Sequence, residues 1–120
     1  MGILKGNAET ITVGIVAKIT DVTIPGNSFS LKFTAEFKRR DYDDAQKLIA
    51  QINDPQSDVS EAQVIRDDLL GWSGLEGDGG PVEYTPENVA ICIQHPEYRL
   101  ALFNGWGSAQ LRRLLANSKN

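Results

Sequence analysis

Residues 67–88 read DDLLGWSGLEGDGGPVEYTPEN, and the rest of the chain is organised around this stretch. Five of the chain's eleven glycines fall in it, where they allow sharp reversals of the backbone. The pattern predicts the end of one helix, an acidic glycine-rich loop and the start of another helix. Trp72, Val82 and Tyr84 would then be docked by a loop without regular structure. The simplest interpretation is a helix connection pinned by a core tryptophan.

The composition limits the class of protein. The chain has 120 residues, enough for one domain that buries roughly two thirds of its unfolded surface. Its 41% hydrophobic and 23% charged residues are ordinary for a soluble globular protein. The net charge of −4 argues against a nucleic-acid partner, which requires a basic face. The basic spots at residues 39–40 and 112–113 could neutralise too few phosphates to change this expectation.

The sequence also indicates where the protein works. No apolar run reaches the ~18 residues of a membrane span, and the N-terminus lacks the apolar core of a signal peptide. Cys92 is the only cysteine, so no intrachain disulfide can form and a reducing compartment suits the chain. We therefore expect a cytoplasmic protein with no membrane partner.

Alternating apolar residues predict a β-hairpin over residues 10–38, preceded by a flexible arm at residues 1–9. The apolar positions of its two strands are Ile11, Val13, Ile15, Ala17 and Ile19, and then Phe29, Leu31, Phe33, Ala35 and Phe37. Residues 25–28, PGNS, provide the turn, and a change of apolar phase predicts a bulge or bend at residues 20–21. A hairpin alone is marginal in water, so helices or a neighbouring subunit must cover its apolar face.

Helical spacing and capping signals predict about four helices over residues 41–117. Asp41 is expected to cap the first helix, and Thr85 the third. Ser60 and Gln63 form a capping box at the start of the second helix.

Glycines are expected to end one of the predicted helices and to interrupt or kink another. The apolar face of the second helix is expected to continue to Trp72, with Gly71 near the C-terminus. In the fourth helix the sequence NGWG at residues 104–107 predicts an interruption or kink, and residues 116–120 are expected to fray. The elements together predict a single α+β domain. An N-terminal antiparallel hairpin or small sheet packs against a C-terminal bundle of about four helices.

Three groups of reactive side chains suggest chemistry, and each has a simpler interpretation. Asp78-Gly79 lies among acidic residues and suggests a calcium-binding loop. If Gly79 takes the invariant glycine position of such a loop, its first and last ligand positions are Gly74 and Thr85, and neither residue has a carboxylate. Cys92 and His95 could share a helix face as nucleophile and base, yet no third group is identifiable to orient them.

The third group consists of the acidic pairs at residues 43–44 and 67–68. Adjacent helix residues point about 100° apart, so neither pair converges on one substrate atom, and solvated helix faces are the expected role. The sequence therefore predicts no catalytic residue, no metal site and no cofactor.

Apolar residues in the hairpin and the C-terminal segment are candidates for a partner surface. They either complete the core or contact another chain, because aromatic anchors dominate interfaces. The exposed edge of the hairpin could also accept a strand from another chain. These candidates are Phe29, Phe33, Phe37, Trp106, Leu111, Leu114 and Leu115.

A series of short motifs runs through residues 29–104. FTAEF at 33–37 is followed by predicted helices, LGWSGL at 70–75, an acidic glycine turn, VEYTPENV at 82–89 and LALF at 100–103. This order resembles the tail assembly chaperones of long-tailed bacteriophages. That family has a W-x-G-hydrophobic step, a D-G turn, a helix start of the form hydrophobic-x-aromatic-(S/T)-x-E-N and a proline-led final helix. The matching positions are Gly71, Trp72, Gly74, Asp78, Gly79, Tyr84, Thr85, Glu87 and Asn88.

The resemblance implies a non-enzymatic role in the cytoplasm of the bacterial host. Such chaperones bind the tape-measure protein, a long aggregation-prone helical chain, and keep it soluble while tail-tube subunits polymerise around it. Many self-associate, and many have a longer frameshifted form that recruits tail-tube protein. The family supplies no catalytic residues, so the nine matching positions are expected to serve fold integrity first. The alternatives are a structural virion tail component or another interaction module, and an enzyme using Cys92 and His95.

Overall fold

The computed structural model describes residues 9–20 and 26–118, with the side chains of residues 111–118 outside the description. The fold is α+β, as the sequence predicts, with an antiparallel sheet at the N-terminal end and four helices in the C-terminal part. The predicted arm, apart from Glu9, and the predicted bend, apart from Thr20, lie outside the described residues.

Two long strands form the predicted hairpin. Strand β1 (Thr10–Thr20) pairs antiparallel with β2 (Ser28–Lys38), and the register is continuous from Thr10 opposite Lys38 to Thr20 opposite Ser28. In the middle of both strands the odd-numbered residues are buried and their even-numbered neighbours are mostly exposed, because successive side chains point to opposite faces. The alternation in the sequence therefore identified both strands and the apolar face of the sheet correctly.

A third strand, β3 (Leu69–Ser73), was not anticipated. It pairs antiparallel with the other edge of β2, with Trp72 opposite Ala35, and a bulge lies between Glu36 and Phe37. The sheet order is β1-β2-β3. The prediction that the second helix continues to Trp72 is wrong. The backbone becomes extended at Leu69, and the following residues pair with β2 as a strand.

The glycine-rich loop also contains regular structure, contrary to the prediction. Strands β4 (Glu76–Gly77) and β5 (Gly80–Pro81) form a two-residue antiparallel ladder around the turn at Asp78-Gly79. Gly80 has a φ of 110°, a conformation that residues with a Cβ rarely adopt. The loop is therefore a small hairpin that leads back to the helices.

The four helices are α1 (Tyr42–Ile52), α2 (Glu61–Asp68), α3 (Pro86–Gln94) and α4 (Pro96–Ser118). Asp41 occupies the N-cap position of α1, but its side chain makes no capping hydrogen bond. The Ser60 hydroxyl accepts a hydrogen bond from the Gln63 backbone N–H at 3.2 Å, which confirms the Ser60 half of the predicted capping box. The Gln63 side chain donates to Asp67 at 3.1 Å.

Helix α4 is one continuous helix, so the predicted interruption at residues 104–107 is wrong. Gly105 lies where α4 crosses the sheet, and a Cβ there would overlap Cδ1 of Ile15 and touch Phe37 and Val13. The glycine permits close helix–sheet packing without breaking the helix.

The core lies between the inner face of the sheet and the helices, with α4 packed mainly on β1. Its largest fully buried side chains include Trp106, Phe37, Ile15, Ile65 and Leu102. The face of the sheet that is remote from α4 carries mostly polar residues, as expected for an antiparallel sheet with one solvated side.

Candidate functional site

The aromatic pair of the family-like motif joins β3 to the start of α3. The Trp72 indole N–H donates to the carbonyl oxygen of Val82 at 2.8 Å. The Trp72 and Tyr84 rings meet edge to face, with centroids 5.2 Å apart and an interplanar angle of 87°. The Tyr84 hydroxyl donates to the carbonyl oxygen of Leu69, which closes the segment back onto β3. Trp72 thus docks the segment, as predicted, but from a strand and at a half-buried position.

The entry to α3 follows the predicted capping chemistry. Thr85 accepts the Asn88 backbone N–H at 3.1 Å, and Pro86 lies in the first turn. The Asn88 side chain donates to the carbonyl oxygen of Glu83 at 2.8 Å. Glu87 is exposed in the first turn, where its negative charge complements the helix dipole. These residues therefore fix the start of α3.

The glycines of the motif shape its hairpin. Gly74 has a φ of 81° and lies against Phe33, whose Cα is 3.9 Å from where a Cβ would be. Gly71 lies opposite Glu36 in the β2–β3 ladder. Asp78 and Gly79 are exposed at the hairpin turn. The nine matching positions thus lie between residues 71 and 88, and the contacts of Trp72, Tyr84, Thr85 and Asn88 hold this segment in place.

The candidate partner surface divides into three groups. Phe33 and Phe37 are buried, and Trp106 is completely buried, because α4 covers the apolar face of the hairpin. These three are core residues, so of the two alternatives that the sequence left open the core role holds for them. Phe29 is 48% exposed. The side chains of Leu111, Leu114 and Leu115 lie outside the described part of the chain.

A buried polar cluster was missed by the sequence interpretation. Asp68 is fully buried, with its side chain 0% exposed, and it accepts hydrogen bonds from Arg40 at 2.6 and 2.7 Å. The Trp106 indole N–H donates to the same carboxylate at 2.7 Å. Asp68 was expected on a solvated helix face, so that expectation is wrong for Asp68, although Asp67 beside it is exposed.

The physical reason is that β2, α2 and α4 converge at Asp68. Arg40 follows β2, and its pKa is raised above the usual value by the hydrogen bond to Asp68. Gln110 of α4 accepts the Arg40 backbone N–H and donates to the Lys38 carbonyl oxygen, both at 2.7 Å. A buried carboxylate requires such partners. The cluster therefore joins the end of β2 to two helices.

Cys92 lies in the last turn of α3, and His95 is the residue between α3 and α4. Cys92 is buried, and burial raises the pKa of its thiol, which disfavours the nucleophilic thiolate. The His95 ring meets Tyr98 edge to face at 5.0 Å, and its Nδ1 is buried without a hydrogen-bond partner. No contact between the two side chains appears among the described residues. Burial of Cys92 and the raised pKa of its thiol thus disfavour a nucleophilic role for this side chain.

The described part of the chain has neither a metal-binding cluster nor a membrane-spanning helix. It holds no group of three or more His, Cys, Asp or Glu side chains arranged to bind a metal ion. No helix within it has both the length and the apolar character needed to cross a bilayer.

Several large apolar side chains remain exposed. They are distributed over β1, the hairpin end, α1, β3, the entry to α3, α3 itself and α4. These residues are Val16, Phe29, Tyr42, Leu70, Tyr84, Ile91 and Leu100. An open depression beside Tyr84 is lined by Arg66, Pro86, Val89 and Ala90.

Comparison of the chain with protein-family models, with curated proteins and with solved structures gave no match.

Proposed function

We propose that this protein is a non-enzymatic tail assembly chaperone of a long-tailed bacteriophage. In this role it binds the tape-measure protein in the host cytoplasm and promotes polymerisation of the tail tube around it. Tail-tube protein is a second partner in this role, and copies of the chain associate with each other. The role needs binding surfaces and no catalytic centre.

The observation that carries the proposal is the contact network of the family-like motif. Its nine positions are scattered over residues 71–88, and several of them contact one another or the same short segment. The Trp72 ring packs on Tyr84, and the Asn88 side chain donates a hydrogen bond to the carbonyl oxygen of Glu83, the residue before Tyr84. Matching residues that contact one another support the resemblance better than matches at unconnected positions do.

Exposed apolar side chains supply the binding chemistry. Leu70 is 44% and Ile91 66% exposed, and Tyr84 borders the depression beside α3. A long helical tape-measure chain presents apolar stripes that must be shielded from water before the tube closes around it. Exposed leucine, isoleucine and tyrosine side chains fit that requirement.

Co-expression with the tape-measure protein of the same phage tests the proposal. We expect the chaperone to raise the soluble fraction of the tape-measure protein and to co-purify with it. Leu70→Asp and Ile91→Asp should weaken co-purification, because each places a charge on an exposed apolar position. Gln94→Asp is the matched control, since it adds the same charge at an exposed polar position of α3. No binding and no gain in solubility with the wild-type chain would refute the proposal.

A structural component of the virion tail is the second candidate. The feature that favours it is the long strand β1 at the edge of the sheet, because strand addition joins subunits in permanent assemblies. The two roles differ in whether the protein remains in the finished particle.

A further inference from the structure

The outer edge of β1 presents unpaired backbone groups. In the described part of the chain β1 pairs only with β2. The Arg39 N–H donates to the Glu9 carbonyl oxygen at 2.9 Å, so residue 9 faces residue 39 as a hydrogen-bonded pair. Because such pairs alternate along an antiparallel ladder, the odd residues of β1 bond to β2. The even residues therefore direct their N–H and C=O groups away from the sheet.

One end of this edge is already closed. The Glu97 carboxylate accepts the outward N–H of Thr20 at 3.0 and 3.2 Å, and the Thr20 hydroxyl at 2.9 Å. The open even positions that remain are Thr10, Thr12, Gly14, Val16 and Lys18. Gly14 is the middle one of these five positions, so antiparallel pairing with an identical strand about Gly14 would use all of them.

The open edge lacks the usual protection against pairing. It contains no proline, its pairing with β2 has no bulge, and Lys18 is its only charged residue. Packing against the described residues does not explain Gly14, because a Cβ there would meet none of their atoms within 4 Å. A glycine inside a strand costs stability and often marks the close approach of another backbone.

An exposed leucine lies on the side of α4 that faces this edge. Leu100 is 55% exposed and is three residues from Glu97, so the two share one side of the helix. Glu97 reaches the edge at Thr20, and Leu100 lies about one helical turn further along the same side of α4. Its burial would add an apolar contact to the backbone hydrogen bonds.

We propose that β1 pairs antiparallel with β1 of a second copy of this chain, about a two-fold axis at Gly14. Thr12 then lies opposite Val16 of the second copy, and Thr10 opposite its Lys18. The two Lys18 side chains are about 26 Å apart, so the only charges on the strand do not repel each other. The result is one continuous six-stranded sheet with both copies of α4 on the same face. This pairing specifies how copies of the chain associate and in that respect rests on the proposed function, whereas binding of the tape-measure protein is tested separately by co-expression.

Analytical ultracentrifugation of the full chain tests the pairing. We expect a concentration-dependent dimer of the 13.2 kDa chain. Gly14→Pro should raise the dimer Kd at least tenfold, because it removes an outward N–H. The variant should keep its circular dichroism spectrum, because no hydrogen bond to β2 involves that N–H. Leu100→Lys should also weaken the dimer, whereas Ile91→Lys, the control at another exposed apolar position, should not.

A cysteine scan gives an independent readout. In a Cys92→Ser background, Gly14→Cys should form an intermolecular disulfide under mild oxidation, because the two Cα atoms are about 5.5 Å apart in such a pair. Lys18→Cys is the control and should not crosslink to itself. A wild-type chain that is monomeric up to about 1 mM, or a dimer unaffected by Gly14→Pro and without the Gly14→Cys crosslink, would overturn the proposal. Binding of a foreign extended peptide by a monomeric chain would also overturn it.

Discussion

The carboxylate of Asp68 connects the end of β2 and α4 to α2. It is fully buried and accepts hydrogen bonds from both Arg40 and Trp106. Asp68→Asn keeps the size but removes the charge, leaving the Arg40 guanidinium without its counter-ion. We expect a loss of about 3 kcal/mol in the free energy of unfolding, measured by urea denaturation. Asp67→Asn, at the exposed neighbour, is the control and should change stability by less than about 0.5 kcal/mol. Equal effects of the two variants would contradict the assigned role of Asp68.

The Cys92 thiol gives a prediction about pH. Burial raises the pKa of Cys92 because the folded state favours the neutral thiol. The unfolded chain therefore loses its proton first, and the stabilisation that this thiol contributes is lost as the pH rises above about 8.5. We expect the free energy of unfolding to fall less steeply between about pH 8 and 10 in Cys92→Ala than in the wild type. Identical slopes would show that the thiol is not protected by the fold.

Only part of this residue-scale detail can be predicted from sequence. The caps Ser60 and Thr85 were predictable because their partners lie three residues away. The burial of Asp68 was not, since Arg40 is 28 residues and Trp106 38 residues distant in the chain. An acidic pair on a helix carries no local sign that one member meets an arginine from another element.

At the scale of elements, the crossing of α4 over the sheet depends on Gly105. A glycine inside a helix normally costs about 1 kcal/mol relative to alanine. Gly105→Ala should instead destabilise the protein by about 1–3 kcal/mol, because the added methyl group overlaps Ile15 in the core. Gly107→Ala is the matched control: its Cβ meets nothing within 4 Å, so it should stabilise by up to about 1 kcal/mol. Opposite signs in thermal or urea denaturation are the expected result, and the same sign for both would refute the close contact.

The docking of β3 to the start of α3 is the second prediction at this scale. Trp72→Ala removes the hydrogen bond to Val82 and the ring contact with Tyr84. Because Trp72 is half-buried, we expect a loss of about 2–3 kcal/mol, below the 3–5 kcal/mol typical of a fully buried ring. Leu70→Ala, at an exposed position of the same strand, should cost less than about 0.5 kcal/mol. A loss below about 1 kcal/mol for Trp72→Ala would show that the ring does not hold the segment.

The elements differ in how readily their sequence predicts them. Eleven-residue strands with clean alternation identified β1 and β2. Strand β3 has five residues and follows α2 directly, so its leucines and Trp72 also fit the helical period of α2. Pairing with β2 decided between these alternatives. Likewise the sequence around Gly105 suggests a helix break. Only the close contact with the Ile15 side chain shows why a glycine is needed inside a continuous helix.

At the scale of the whole molecule, the fold class was predictable and the surfaces were not. A hairpin with one apolar face required a cover, and α4 supplies it. The same cover buries Phe33, Phe37 and Trp106, which the sequence alone could not assign to core or interface. Which apolar residues remain outside depends on the packing of all elements at once. Among the described residues, Leu70, Ile91 and Leu100 are three of the large apolar side chains that remain exposed after this packing.

The copy number of the protein through tail assembly tests the chaperone role most directly. Quantitative mass spectrometry would compare complexes that contain the tape-measure protein before tube polymerisation with purified mature particles. The chaperone role predicts that the protein is abundant in the early complexes and absent from mature particles, because an assembly factor leaves. A fixed number of copies retained in every mature particle would contradict it and would support the structural role in the virion tail.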